Sequence, residues 1–103
     1  FDKFNITNEG AFELDKLVAI MEKYPDMIVQ VESHSDSRGP NSYNLKLSEN
    51  RAISTAQYVI SKGIDESRIY GIGKGEEEPV VECSKGCSNQ DHATNRRSEF
   101  IIL

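Results

Sequence analysis

The apolar residues of this chain change their period at Pro25. Before it, Leu14, Leu17, Val18 and Met21 recur at i, i+3, i+4 and i+7, the spacing of one helix face. Glu13, Asp15, Lys16, Glu22 and Lys23 occupy the other side. Asn8 is placed to cap this helix, and Pro25 stops it after Tyr24. Beyond it, Met27, Val29 and Val31 alternate with Ile28, Gln30 and Glu32, the period of a strand with one buried face. A helix stripe and a strand face this close together must bury against each other or stay wet, so a layered helix-and-sheet fold follows.

The rest of the chain extends that layering. Arg38-Gly39-Pro40-Asn41 is a turn. Leu45 and Leu47 pack in a short irregular or helical piece, and Ser48 is expected to cap a second helix running to about Lys62, with Arg51 in its first turn. Ala52, Thr55, Ala56 and Val59 face inward, and Gly63 stands just past the end, where a residue of positive φ is wanted. Arg68 to Gly73 reads as a short strand whose Gly71 and Gly73 admit a neighbouring backbone. Gly75 to Thr94 reads as a long polar loop, rich in Glu. Arg97 to Leu103 reads as a terminal strand with Phe100 and Ile102 on one face. The expected architecture is α+β, a βαβαββ sandwich with two main helices on one mixed sheet.

A chain of 103 residues makes one domain, residues 1–103, with one modest core. It opens abruptly on Phe1-Asp2-Lys3, as if inside an element, so we expect a domain excised from a longer protein with its first strand clipped at residue 1. No run approaches the roughly 20 apolar residues of a membrane span. The net charge of −5 argues against nucleic acid, whose binders present a basic surface.

The polar junction from Glu32 to Arg51 joins a strand to a helix, where folds commonly expose binding groups. Asp36 and Arg51, opposite in sign, are both within reach of a ligand there. Read from the residues alone, an internal Asp36–Arg51 salt bridge pinning the loop competes with that reading. His34 and Asp36 could likewise be metal ligands or a base with its orienting carboxylate, but His92 does not complete a set, and a packed His34 at the strand end is favoured. No metal or cofactor is expected. Cys83 and Cys87 could close a small disulfide ring, hold half a metal site, or stay reduced; the ring is preferred and implies an oxidising compartment.

The ordered anchors carry more information than any one of them. Phe1-Asp2-Lys3 with Ile6, Tyr24-Pro25, His34-Ser35-Asp36-x-x-Gly39, Asn44-x-x-Leu47-Ser48-x-x-Arg51-Ala52, Gly63-Ile64 with Arg68, Gly71-x-Gly73 with Pro79, and Asn95-Arg96-Arg97-Ser98-Glu99 span nearly the whole chain. In that order they resemble the OmpA-like peptidoglycan-binding domain. Ser33 and Ser35 stand where that family usually has Gly and Thr.

The resemblance implies a βαβαββ fold and a periplasmic, non-catalytic module. Such a module tethers an outer-membrane protein, lipoprotein or envelope machine to the cell wall through the meso-diaminopimelate residue of the peptide stem. Carried over by position, Asp36 is the key acid and Arg51 the key arginine. Asn44 adds a polar contact, Ser37, Arg38 and Gly39 supply backbone N–H groups, and Arg96 and Arg97 border the pocket, one facing it and the other not. His34, Ser35, Leu47, Ser48 and Asp2 support the site. The cysteine-bearing loop is similar to that of a subset found on secretion or gliding machinery. Two rivals remain: a wall hydrolase using His34 and Asp36, for which no nucleophile motif is present, and a scaffold that docks another envelope protein through the 75–94 loop and its Glu76-Glu77-Glu78 start.

Overall fold

The computed structural model describes residues 8–38, 40–78, 81–83 and 86–103, with residues 8, 9, 93 and 94 described by their backbone alone. The expected first strand, with Asp2, lies outside these residues, as does Gly39. The elements run α1 (Asn8–Lys23), β1 (Val29–His34), α2 (Asn41–Ser61), a short 3-10 turn (Glu66–Arg68), β2 (Ile69–Gly75), α3 (Asn89–Asn95) and β3 (Arg97–Ile102). Among the described residues, two long helices lie on a three-stranded mixed sheet of order β2-β1-β3, with β1 parallel to β2 and antiparallel to β3.

The period change at Pro25 translates directly into the core. Leu14, Val18 and Met21 of α1 meet Val29 and Val31 of β1, together with Ala56 and Val59 of α2, Ile64 and Ile69. Helix α2 lies across β2, and glycines make that approach possible. A Cβ on Gly71 would stand 2.6 Å from the Ala52 carbonyl oxygen, and one on Gly73 would run into the backbone nitrogen of Glu49. Gly63, just beyond α2, has φ +104°, as the helix end requires.

The expectations for the start of α2 and for the polar stretch are corrected. Helix α2 begins at Asn41 behind Pro40, whose fixed φ of −63° suits a helix entry, so Ser48 is interior and caps nothing. The Ser48 hydroxyl instead donates to Leu45 O at 2.8 Å and accepts the Gly75 N–H at 2.8 Å, tying α2 to the end of β2. Arg51 therefore sits well inside the helix, and the amides of a first turn are not at its side. The polar stretch before Asn95 is not loop throughout, since its last residues form α3 under a Ser88–Asp91 capping box. Phe100 and Ile102 do share a face, opposite Val31 and Val29, yet remain 42% and 65% exposed. The helix layer covers β2 and β1 and stops short of β3.

Arg68 locks the core's corner. Its Nη2 donates to Met21 O (2.7 Å) and Tyr24 O (2.9 Å), and its Nε to Met27 O (3.1 Å), so one guanidinium closes the C-terminal end of α1. Arg68→Ala should cost about 2–3 kcal/mol, read as a lower denaturation midpoint. Arg68→Lys should restore only part of it, because a lysine cannot span three carbonyls in a plane.

Candidate functional site

Strand β1 does not stop at an exposed turn; it delivers its last residues into the interior. Ser33, His34, Ser35 and Asp36 are all buried. The Ser33 hydroxyl lies 2.7 Å from that of Ser98 on β3, so a side chain at the position where glycine was expected finds a partner across the sheet. Between Ser33 and His34 the register with β2 shifts, Gly75 turns at φ +61°, and Ser35 N–H donates to its carbonyl. The backbone is thereby steered so that Asp36 points toward α2 and the start of β3.

Asp36 is 2% exposed and collects hydrogen bonds on both oxygens. Oδ1 accepts the Arg38 backbone N–H (2.9 Å) and Nε (3.2 Å); Oδ2 accepts Arg38 Nη2 (2.8 Å) and Arg96 Nη1 (2.8 Å). Burial alone would raise the Asp36 pKa, but these bonds outweigh it and hold the carboxyl well below the usual carboxylate range. The group is an anion at any physiological pH. Arg38 thus contributes more than sequence suggested, and its N–H, expected to serve a ligand, is used by Asp36 in an Asx-type turn.

Arg51 rises from α2 into the same cluster. Its Nη1 donates to His34 O at 2.9 Å, joining the helix to the end of β1. Burial lowers its pKa, the nearby Arg96 charge lowers it further, and Asp36 works in the opposite direction. Three guanidiniums, those of Arg38, Arg51 and Arg96, therefore gather about one carboxylate. In a chain of net charge −5 this is a local positive excess, suited to a ligand bearing an anionic group.

The supporting residues sort by position. Asn44, 1% exposed, donates from Nδ2 to Glu76 Oε1 at 3.2 Å and links α2 to the turn after β2. Leu47 and Ser48 are buried beneath it, while Ser37 is exposed. Of the arginine pair, Arg96 faces Asp36. Arg97 faces away, pairing with Glu99 at 2.9 Å and donating from Nη2 to Glu78 O at 2.8 Å. Tyr58 packs on the core and bonds Asp15, whereas Tyr43 is exposed. Cys83 and Cys87 form a disulfide with Cα atoms 5.2 Å apart. Sequence reasoning did not single out Asn95 alone, whose side chain reaches back to Val81; nothing in its local pattern marks that contact.

His34 is 1% exposed, and neither ring nitrogen makes a well-directed hydrogen bond, although Nε2 stands 3.1 Å from Glu99 Oε2. Burial lowers its pKa below 6.5, the Arg97 charge lowers it too, and Glu99, Glu78 and Glu32 oppose them. A base with a depressed folded-state pKa binds protons more readily when unfolded. Its contribution to stability is therefore complete above pH 6.5 and is lost as the pH falls through that value toward the folded-state pKa. Melting curves across this window should slope downward into acid, and His34→Gln should flatten the slope.

A family model described as the OmpA family matches residues 1–95. A peptidoglycan-associated lipoprotein of Rhizobium meliloti is 33% identical over 98% of this chain and 56% of its own length. An outer membrane porin F of Pseudomonas fluorescens is 36% identical over 99% of this chain and 30% of its own. The chain thus spans about half or less of these curated relatives. Among solved structures, the peptidoglycan-associated lipoprotein from Burkholderia pseudomallei superposes with a TM-score of 0.92 at 22% identity, covering 100% of this chain and 85% of that one. The C-terminal domain of Helicobacter pylori MotB gives 0.87 at 18% identity, covering 98% and 77%. At those identities the two structures speak to the fold alone.

Proposed function

Because this chain belongs to the OmpA family, we propose that it is a non-catalytic module that holds peptidoglycan through the free end of a meso-diaminopimelate residue, in the periplasm of a Gram-negative cell. The observation that carries this reading is the buried Asp36 carboxylate paired with Arg38 and Arg96, with Arg51 bonded to the end of β1 two residues before it. The end of the diaminopimelate side chain carries an ammonium and a carboxylate on one carbon, and such a group needs an anion and a planar cation a few ångströms apart. Asp36 answers the ammonium. Arg51, with Arg96 beside it, answers the carboxylate with parallel N–H groups, which a lysine cannot do.

The approach runs through the arginines, because the Asp36 side chain is 1% exposed while those of Arg38 and Arg96 are 34% and 28% exposed. On binding, the ligand ammonium takes over part of the Asp36 valence, and the guanidinium it displaces turns onto the ligand carboxylate. The charge excess favours that exchange, since an incoming carboxylate relieves the repulsion between Arg51 and Arg96. The name of the Rhizobium relative supports a wall ligand, and the disulfide supports an oxidising compartment. Anchoring of a longer outer-membrane or envelope protein to the wall is the role such a module would serve, with avidity along the polymer compensating for a small contact.

Co-sedimentation with purified sacculi tests the reading. The chain should pellet with sacculi whose stems carry diaminopimelate and be released by a soluble diaminopimelate tripeptide. Failure to pellet with them, or equal retention on lysine-type sacculi, would refute it.

A further inference from the structure

The arginine that faces Asp36 is held in place by a part of the chain that the proposed site does not otherwise use. Arg96 follows directly on α3, a helix of seven residues, too short to be stable by its own propensity. Both ends of that helix are fixed from outside. Its start follows the Cys83–Cys87 ring by one residue, where Ser88 and Asp91 form the capping box.

Its end is fixed by Asn95, whose side chain is 1% exposed. Asn95 Oδ1 accepts the Val81 N–H at 2.9 Å, and its Nδ2 donates to Val81 O at 2.9 Å. The same Nδ2 lies 3.6 Å from Cys83 Sγ. One buried amide thus pairs with both backbone polar groups of a single residue, in the manner of a strand, and rests on a sulfur that closes the ring. The next residue carries the guanidinium that meets Asp36 Oδ2 at 2.8 Å.

We propose that Asn95 and the Cys83–Cys87 ring are positioning elements that set how the Arg96 guanidinium meets Asp36, and through it the affinity of the wall-binding site. This rests on the ligand reading above for its affinity half only. A guanidinium on a flexible stem binds well when its backbone is fixed, because less rotamer freedom remains to be lost on contact. The ring shortens the connection between Val81 and α3, and Asn95 fastens its two sides together. Arg97 holds the first residue of β3 through Glu78 O and Glu99. Without the clamp, α3 would pivot about that point and carry Arg96 with it.

The test uses the full chain, Asn95→Ala and the double variant Cys83→Ser/Cys87→Ser, with two readouts. In calorimetry against a diaminopimelate tripeptide, both variants should bind about tenfold more weakly than the parent, the loss of roughly one well-made charged hydrogen bond. In a carboxyl-carbon NMR titration without ligand, the Asp36 midpoint should move up toward the ordinary carboxylate range in both. Loss of a clamp that merely stabilised the fold would lower the melting temperature and leave that midpoint in place. Parent-like or tighter binding in both folded variants overturns the proposal, as does an unmoved Asp36 midpoint. A shift in Asn95→Ala alone overturns the part assigned to the ring. If the parent chain fails to bind the peptide, the ligand reading falls, and the titration decides the clamp by itself.

Discussion

Arg51→Ala is expected to abolish retention on diaminopimelate-type sacculi. Truncating one member of a buried, hydrogen-bonded charge site costs on the order of 2–5 kcal/mol, which for a small contact of modest affinity leaves nothing measurable in a pelleting assay. Arg51→Lys separates fork from charge: it preserves the positive end but loses the paired N–H geometry, so retention should remain poor. The melt should fall modestly in both, because the bond from Arg51 to His34 O is lost.

Asp36→Ala should also abolish binding, yet it is a less clean probe. Its carboxylate receives four hydrogen bonds from Arg38 and Arg96 in the unliganded chain, and deleting it leaves guanidiniums facing one another. The variant should lose roughly 3 kcal/mol of stability, through bonds to Arg38 and Arg96 where the sequence offered Arg51 as the internal partner. Retention equal to the parent in either the Arg51 or the Asp36 variant would remove the site assignment.

Gly73→Ala is the second large effect. The new methyl would fall on the Glu49 backbone nitrogen, and backbone inside a helix cannot step aside. The expected loss is more than about 3 kcal/mol, with either a collapse of the denaturation midpoint or failure to fold. Gly63→Ala is the control: nothing lies within 4 Å of its Cβ, and only the φ of +104° is penalised, for about 1 kcal/mol. A near-parent melt for Gly73→Ala would mean that α2 is not seated on β2 as described. Because the same seating brings Arg51 to the end of β1, any folded Gly73 variant should bind the wall more weakly as well.

What the sequence disclosed follows from what kind of contact was at stake. Local periodicity placed α1 and β1, since each is an amphipathic run beside Pro25, and β2 was legible as a short run after Gly63. Gly71 and Gly73 were legible as a close approach because nothing else explains two glycines within a short apolar strand. Ser48 misled because a buried serine bonding a distant N–H looks, in one dimension, like a helix cap. Helix α3 has no apolar stripe, and its one sign was Ser88 with Asp91 three residues on. Phe100 and Ile102 alternate properly, but whether a face is covered depends on where the helix layer ends. The choice of Arg38 and Arg96 as partners for Asp36 was beyond sequence, since four arginines were in range by position and charge alone does not rank them.

Calorimetry of the intact chain against two tripeptides, one ending its side chain in the diaminopimelate zwitterion and the other in plain lysine, addresses the central claim most directly. The account predicts measurable heat and saturation for the first and at least about a tenfold loss for the second, whose missing carboxylate leaves Arg51 and Arg96 without a counter-charge. Equal binding of the two peptides, or none by either, would contradict it.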